Sequence, residues 1–172
     1  MKFNQRILCL SKRASLSKEE RIRKSEIINK KVVELIKDKK LIMSYNSHGN
    51  EVDTDYINSY FKDLAFPVSY ENGKMEAYVS KSFIIGKFGI KEPYKGNKIN
   101  PNDLEVIMVP LVGFDEKKNR LGHGWGYYDR FLKESKALKI GLAFEIQKID
   151  EILIDDYDIS LDMIVTEKKI YY

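Results

Sequence analysis

The sequence predicts a single α/β domain, with a mostly parallel central sheet and helices on both faces. Two observations carry that expectation. Apolar runs of strand length alternate with segments of helical period along the chain, and such alternation builds a parallel sheet that helices cover. The second is size, since 172 residues fill one core and are short for two. A composition of 43% hydrophobic against 33% charged residues fits a globular domain.

Each element has its own warrant. Over 17–38, Ile28, Val32, Leu35 and Ile36 recur at helical spacing. Ser17 and Glu20 make a capping-box pattern at the start of that segment. Leu41 to Tyr45 is a short apolar strand ending in the turn Asn46-Ser-His-Gly-Asn50. Asp53 or Thr54 can cap a helix carrying Ile57, Tyr60, Phe61 and Leu64. Ala65 to Tyr70 reads as a strand despite Pro67, and Asn72-Gly73 turns it into a second strand at Met75 to Ser80. Leu104 to Val109, Lys139 to Phe144 and Met163 to Thr166 complete the strands. A helical pattern covers Tyr127 to Lys136, and no repeat or linker interrupts the order.

Charge and cysteine content narrow the setting. The net charge of +4 is mild and suits an anionic small molecule as well as nucleic acid. The single cysteine, Cys9, excludes an intrachain disulfide and agrees with a reducing cytoplasm. Ile7 to Leu10 is too short for a signal-peptide core, and no run approaches the roughly 20 apolar residues of a membrane span. His48 and His123 have no cysteine partners and do not make a zinc site.

Chemistry concentrates in Arg120-Leu-Gly-His-Gly-Trp-Gly-Tyr-Tyr-Asp-Arg-Phe-Leu132. Gly122, Gly124 and Gly126 alternate there, in a spacing that matches neither the dinucleotide fingerprint nor the P-loop. Each glycine costs roughly 0.5–1 kcal/mol against alanine, and close approach of backbone amides to a phosphate accounts for that cost. Arg120 stands between strand and loop as a permanently charged fork. Arg130 is either a helix-surface charge or the partner of a buried carboxylate. Asp129, in the first helical turn, favours the helix dipole or holds Mg²⁺ beside the phosphates. The acidic group Asp155-Asp-Tyr-Asp158, followed by Asp162, lies at the amino end of the last strand or in a loop reaching the site. Lys2 and Arg6 share one face if they lie on a helix and could clasp an anion. Trp125 and Tyr127 stack on a flat heterocycle or join the core. Ligands of open α/β sheets bind beyond the carboxyl ends of strands, where both Asn46 to Glu51 and the glycine segment belong.

These residues resemble the 5-formyltetrahydrofolate cyclo-ligase family, also called 5,10-methenyltetrahydrofolate synthetases. Val109-Pro-Leu-Val-Gly-Phe-Asp115 and Arg120 to Arg130 are similar to V-P-x-x-A-F-D and R-L-G-x-G-x-G-Y-Y-D. Lys2 with Arg6, Glu51-Val-Asp-Thr54, Gly89-Ile-Lys-Glu-Pro93 and Asp158 through Glu167 follow in family order. The resemblance implies a three-layer α/β fold and an ATP-dependent ring closure. ATP phosphorylates the formyl oxygen of 5-formyltetrahydrofolate, nitrogen 10 attacks the activated carbon, and phosphate leaves. It implies Lys2 and Arg120 as catalytic. ATP is expected on Lys2, Arg6, Arg120, Leu121, Gly122, His123, Gly124, Trp125, Gly126, Tyr127 and Tyr128. It implies Asn46, Glu51 and the loop His123 to Tyr127 against the folate, and Asp129 and Asp158 as magnesium ligands. The expected partners are those two small molecules, with no nucleic acid, no membrane and a monomeric state. The sequence departs from the family pattern at Gln5, His123, Trp125, Gly113 and Tyr157. Two other readings compete: a folate- or nucleotide-binding module without turnover, and a nucleic-acid-binding protein, against which the scattered basic residues argue.

Overall fold

The computed structural model describes residues 1–172, and the capping box sets the start of its longest helix. Helix α1 spans Lys2–Ala14 and α2 spans Lys18–Ile36. Ser17 accepts the Glu20 N–H at 3.1 Å, and Glu20 accepts the Ser17 N–H at 2.8 Å. Two orphan amides of the first turn are thereby satisfied. α2 buries Ile28, Val32, Val33 and Ile36, the stripe expected from the 3.6-residue period.

The sheet has eight strands in the order β12-β11-β10-β7-β1-β2-β3-β6. In chain order these are β1 (Ile42–Met43), β2 (Ala65–Ser69), β3 (Met75–Val79), β6 (Asn97–Ile99), β7 (Val106–Pro110), β10 (Leu138–Leu142), β11 (Met163–Val165) and β12 (Ile170–Tyr171). The central run β11-β10-β7-β1-β2 is parallel, and β12, β3 and β6 add antiparallel edges. The mostly parallel sheet is thus borne out. Two short hairpins lie outside it: β4 (Phe83–Ile85) with β5 (Lys91–Pro93), and β8 (Gly113–Phe114) with β9 (Arg120–Leu121).

Strand β7 shows why both faces must be covered. Val106 and Met108 join a core with Ile28, Val32 and Ile57, the last from α3 (Asp55–Tyr60). Ile107 and Val109 join the opposite core with Phe131 and Leu132 of α4 (Tyr127–Lys133). A strand buried on both faces has to be apolar at every position. A third, smaller cluster of Cys9, Val112, Leu121 and Ile152 seats α1 on the β8–β9 hairpin.

Several boundaries fall inside the expected ones. β1 is two residues long, and Tyr45 continues it only as buried irregular chain. α3 ends at Tyr60 because Phe61 turns extended, which leaves Phe61 and Leu64 outside the helix. The Thr54 hydroxyl donates to Tyr45 O at 2.7 Å instead of capping, while Asp53 Oδ1 accepts the Asp55 N–H at 2.7 Å. α4 stops at Lys133, two residues before Ser135 Oγ donates to Pro101 O at 2.6 Å and anchors the exit.

From β1 the chain crosses to β2 on one side, whereas β7, β10 and β11 build outward on the other. The reversal between β1 and β7 is a topological switch point, the crevice where open α/β sheets bind ligands.

Candidate functional site

A cavity of about 950 Å³ opens at that switch point, lined by Tyr45 and Asn46 after β1 and by Pro110 at the end of β7. Its size suits two small-molecule reactants. The glycine segment forms one wall, α1 and the 155–158 loop a second, and the Asn46–Glu51 turn with the β4–β5 hairpin the rest.

In the glycine wall, every glycine has a guanidinium against it. A Cβ at Gly122 would lie 3.0 Å from Arg120 Nη1, at Gly124 3.4 Å from Arg6 Cζ, and at Gly126 2.9 Å from Arg130 Nη1. Gly124 and Gly126 also have φ of +99° and +69°, which side chains other than glycine adopt at a cost. The amides of residues 122–126 make no hydrogen bond within the chain, so five donors stand free beside three cations. Arg6 Nε donates to Gly122 O at 2.8 Å. Arg130 departs from both expectations, since it pairs with no carboxylate. It donates to Gly73 O at 2.9 Å and Trp125 O at 2.7 Å, clamping the loop to the β2–β3 turn. Leu121 buries its side chain against Cys9, so its contact with a ligand is restricted to the main chain.

Arg120 is the most constrained of these cations. Its side chain is 4% exposed, Nη2 donates to Asp129 Oδ1 at 2.7 Å, and its guanidinium lies 5.9 Å from the Tyr128 ring centre. Its Nε is buried with no partner. A buried unsatisfied donor costs about 1–3 kcal/mol, and in a cavity wall it marks a place for an acceptor.

The acidic group proves to be a loop that reaches the site. Lys2 Nζ donates to Asp155 at 2.7 Å and to Asp158. Burial alone would raise the Asp158 carboxyl, but the Lys2 ammonium and the Asp155 N–H hold it below the usual range. Ile159 N–H donates to Asp129 Oδ1 at 3.1 Å and so ties the residue after Asp158 to Asp129. Both contacts on Asp129 use Oδ1, and both on Asp158 use Oδ2. Asp129 Oδ2 and Asp158 Oδ1 are left without a bond. Two carboxylates that line the same cavity with one free oxygen each fit Mg²⁺, which takes one or two carboxylates and fills its shell with substrate oxygens and water. No group of three or more His, Cys, Asp or Glu side chains forms a full protein cage.

Gln5 accounts for the position of that loop. Its Nε2 donates to Glu151 O at 2.7 Å, and its Oε1 accepts the Leu153 N–H at 3.3 Å. Tyr157, at the other departure from the family pattern, lies exposed on the cavity rim.

On the opposite wall, Glu51 Oε2 accepts the His48 N–H at 2.9 Å and Oε1 stands 3.8 Å from His123 Nε2. Asn46 Nδ2 donates to Lys91 O at 3.1 Å and ties this turn to β5. Trp125 is 65% exposed and stays out of the core. Its ring lies 6.1 Å from Phe88, and Phe88 meets Tyr127 edge-on at 6.0 Å. Tyr127 also donates to Tyr70 O at 2.7 Å.

Arg13 and Phe88 were not among the expected residues. Arg13 is buried, donates to Asn50 Oδ1 at 2.8 Å and to Leu111 O at 3.3 Å, and joins α1 to the chain beyond β1 and β7. Its position seven residues after Arg6, two helical turns on, was the available signal. Phe88 sits at the tip of a hairpin with no alternating pattern to announce it.

The set is one of folded-in cations, free amides and paired acids beside an aromatic cluster, an arrangement that can receive an anion and a flat ring. Residues 2–167 match the sequence pattern of the 5-formyltetrahydrofolate cyclo-ligase family. The chain belongs to that family. A Mycoplasma pneumoniae protein named 5-formyltetrahydrofolate cyclo-ligase is 34% identical over 164 residues, covering 92% of this chain and 94% of that protein. The mouse protein of the same name is 31% identical, over 89% and 87% of the two chains. The solved structure of Aquifex aeolicus 5,10-methenyltetrahydrofolate synthetase superposes with a TM-score of 0.88 at 38% identity, covering 98% of this chain and 91% of that one. The superposition covers nearly the whole chain, so the α/β framework is one this cyclo-ligase family member shares with the solved structure. No helix is long and apolar enough to cross a membrane.

Proposed function

We propose that the β1–β7 cavity is where this chain converts 5-formyltetrahydrofolate to 5,10-methenyltetrahydrofolate at the expense of ATP. The observation that carries the reading is the glycine wall: five free amides beside three guanidinium groups, with the buried Arg120 Nε left without a partner. Phosphoryl transfer asks a protein mainly for positioning and charge neutralisation, and this wall offers both. Amides of residues 122–126 with Arg6 and Arg120 hold phosphate oxygens, and Lys2 reaches the transferring group from α1. Asp129 and Asp158 hold Mg²⁺, which neutralises phosphate charge when bound. The γ-phosphoryl group passes to the formyl oxygen and ADP departs. Nitrogen 10 then bonds to the formyl carbon with loss of its proton, and the phosphate leaves with the former formyl oxygen.

Glu51, Asn46 and the loop His123 to Tyr127 face the folate, which places the aromatic cluster of Phe88, Trp125 and Tyr127 beside its ring. The reaction produces the methenyl chromophore, so purified protein with Mg²⁺, ATP and 5-formyltetrahydrofolate should generate its absorbance. Tight binding of both reactants without chromophore would identify a binding module, and absence of turnover beside an active family member would overturn the reading.

A further inference from the structure

Five carboxylates line the cavity, and three are paired with a lysine or arginine. Asp129 is paired with Arg120, Asp155 and Asp158 with Lys2, and Glu51 faces His123. Glu92, on β5, has no cationic partner. Its only bond within the chain is from the Ser69 N–H to Oε1 at 3.1 Å, and Oε2 has none. Pro67, Met75, Phe88 and Ile90 line the cavity with it. Burial in these surroundings holds its carboxyl above the ordinary glutamate range, against the pull of the Ser69 amide. A partly desolvated anion without a counter-charge is costly unless donors complete it.

The backbone keeps this head group in place. A Cβ on Gly86 would lie 2.4 Å from Glu92 Oε2 and 2.4 Å from its Cδ, so the hairpin passes directly against the carboxylate. The same hairpin carries Phe88 into the aromatic cluster with Trp125 and Tyr127. One short element thus offers a ring face and a carboxylate edge together.

Of the two reactants, only one presents two parallel donors on the edge of a flat ring, since the paired donors of ATP are its ribose hydroxyls and its adenine amine stands beside a ring acceptor. ATP brings phosphates, which a carboxylate repels. The pterin of 5-formyltetrahydrofolate has an exocyclic amine beside a ring N–H, two parallel donors for one carboxylate. We propose that Glu92 is a specificity-determining residue that anchors the pterin by accepting its 2-amino and adjacent ring N–H protons. This deepens the functional reading above and rests on it.

The test uses the whole protein, with 5-formyltetrahydrofolate and ATP titrated separately. Glu92→Gln should weaken 5-formyltetrahydrofolate binding about ten- to a hundredfold, the scale of hydrogen bonds to a charged group, and leave ATP affinity unchanged. Steady-state KM for the folate should rise with it. Gly86→Ala, which pushes the head group aside, should reproduce the loss and add nothing to it in the double variant. A 2-desamino analogue of 5-formyltetrahydrofolate, which keeps the ring N–H, should lose less affinity on Glu92→Gln than 5-formyltetrahydrofolate does. Unchanged folate affinity in Glu92→Gln, an equal loss of ATP affinity, or analogue binding that falls on Glu92→Gln as far as that of 5-formyltetrahydrofolate would each overturn the assignment. A native protein that turns over 5-formyltetrahydrofolate while Glu92→Gln is indifferent refutes this inference alone. A native protein that neither binds nor converts it refutes the functional reading beneath.

Discussion

Gly113→Ala tests how α1 is held against the site. Gly113 lies in β8, and a Cβ there would sit 2.5 Å from Cys9 Sγ, 3.1 Å from Cys9 Cβ and 3.4 Å from Gln147 O. Cys9 is fully buried between Arg6 and Arg13 on the same helix. Overpacking of this kind costs about 1–3 kcal/mol. For a domain of this size each kcal/mol lowers Tm by about 2–4 °C, so the expected fall is about 2–12 °C. Cys9→Ala alone loses a buried sulfur, at roughly 1 kcal/mol. In the double variant the new methyl occupies the space of the sulfur, and the two costs should cancel by about 1–2 kcal/mol, within the range for contacting residues. ATP binding should weaken in Gly113→Ala as Arg6 moves, and recover in the double variant. Thermal unfolding and ATP titration of the four proteins measure both. Costs that simply add, to within about 0.5 kcal/mol, would show that the helix does not rest on this contact.

Three further outcomes are expected. Asp129→Asn and Asp158→Asn should each raise the Mg²⁺ concentration for half-maximal turnover by about tenfold or more, while 5-formyltetrahydrofolate binding without ATP holds; an unchanged Mg²⁺ dependence removes the metal assignment. Gly126→Ala, at φ +69° and 2.9 Å from Arg130 Nη1, should cost about 1–2 kcal/mol for the left-handed backbone and raise KM for ATP, and a variant with neither effect refutes the close-approach argument. Glu76 is held down to about 2, first by Lys98 and then by Tyr78. Its carboxylate is favoured in the folded state, so its stabilisation is complete above the ordinary glutamate range and lost as pH falls toward 2. Glu76→Gln should therefore flatten the acid limb of Tm against pH, and an unaltered limb would assign it to other groups.

The legible parts of the chain were those whose burial is apolar. α2, β7 and β10 declared themselves because Ile, Val and Leu fall on the faces that pack. Helix α1 was obscured for the opposite reason. Its inward face is Lys2, Arg6, Cys9 and Arg13, whereas Phe3 is 66% exposed, Ile7 51% and Leu8 49%. A helix that turns charge inward for a ligand has no core stripe to read. The β4–β5 hairpin was missed likewise, since Phe83, Ile84 and Ile85 are all exposed and alternate with nothing. The glycine-rich and acidic loops were singled out through motif order, and their meeting in one cavity, with free amides and unpaired oxygens, is visible only in three dimensions. Arg130 shows the limit of motif reading, because its two carbonyl acceptors come from Trp125 and from a turn 57 residues away.

Lys2 and Asp158 meet across 156 residues of sequence. One end of the cavity is therefore closed by the first helix and one of the last loops. No partial product of synthesis lacking residue 158 can complete that seam, and a cut between the two ends leaves it dependent on the sheet alone. On the proposed reading, in which Lys2 serves ATP, turnover is for this reason an assay of chain integrity as much as of chemistry, since it requires both extremities to be docked.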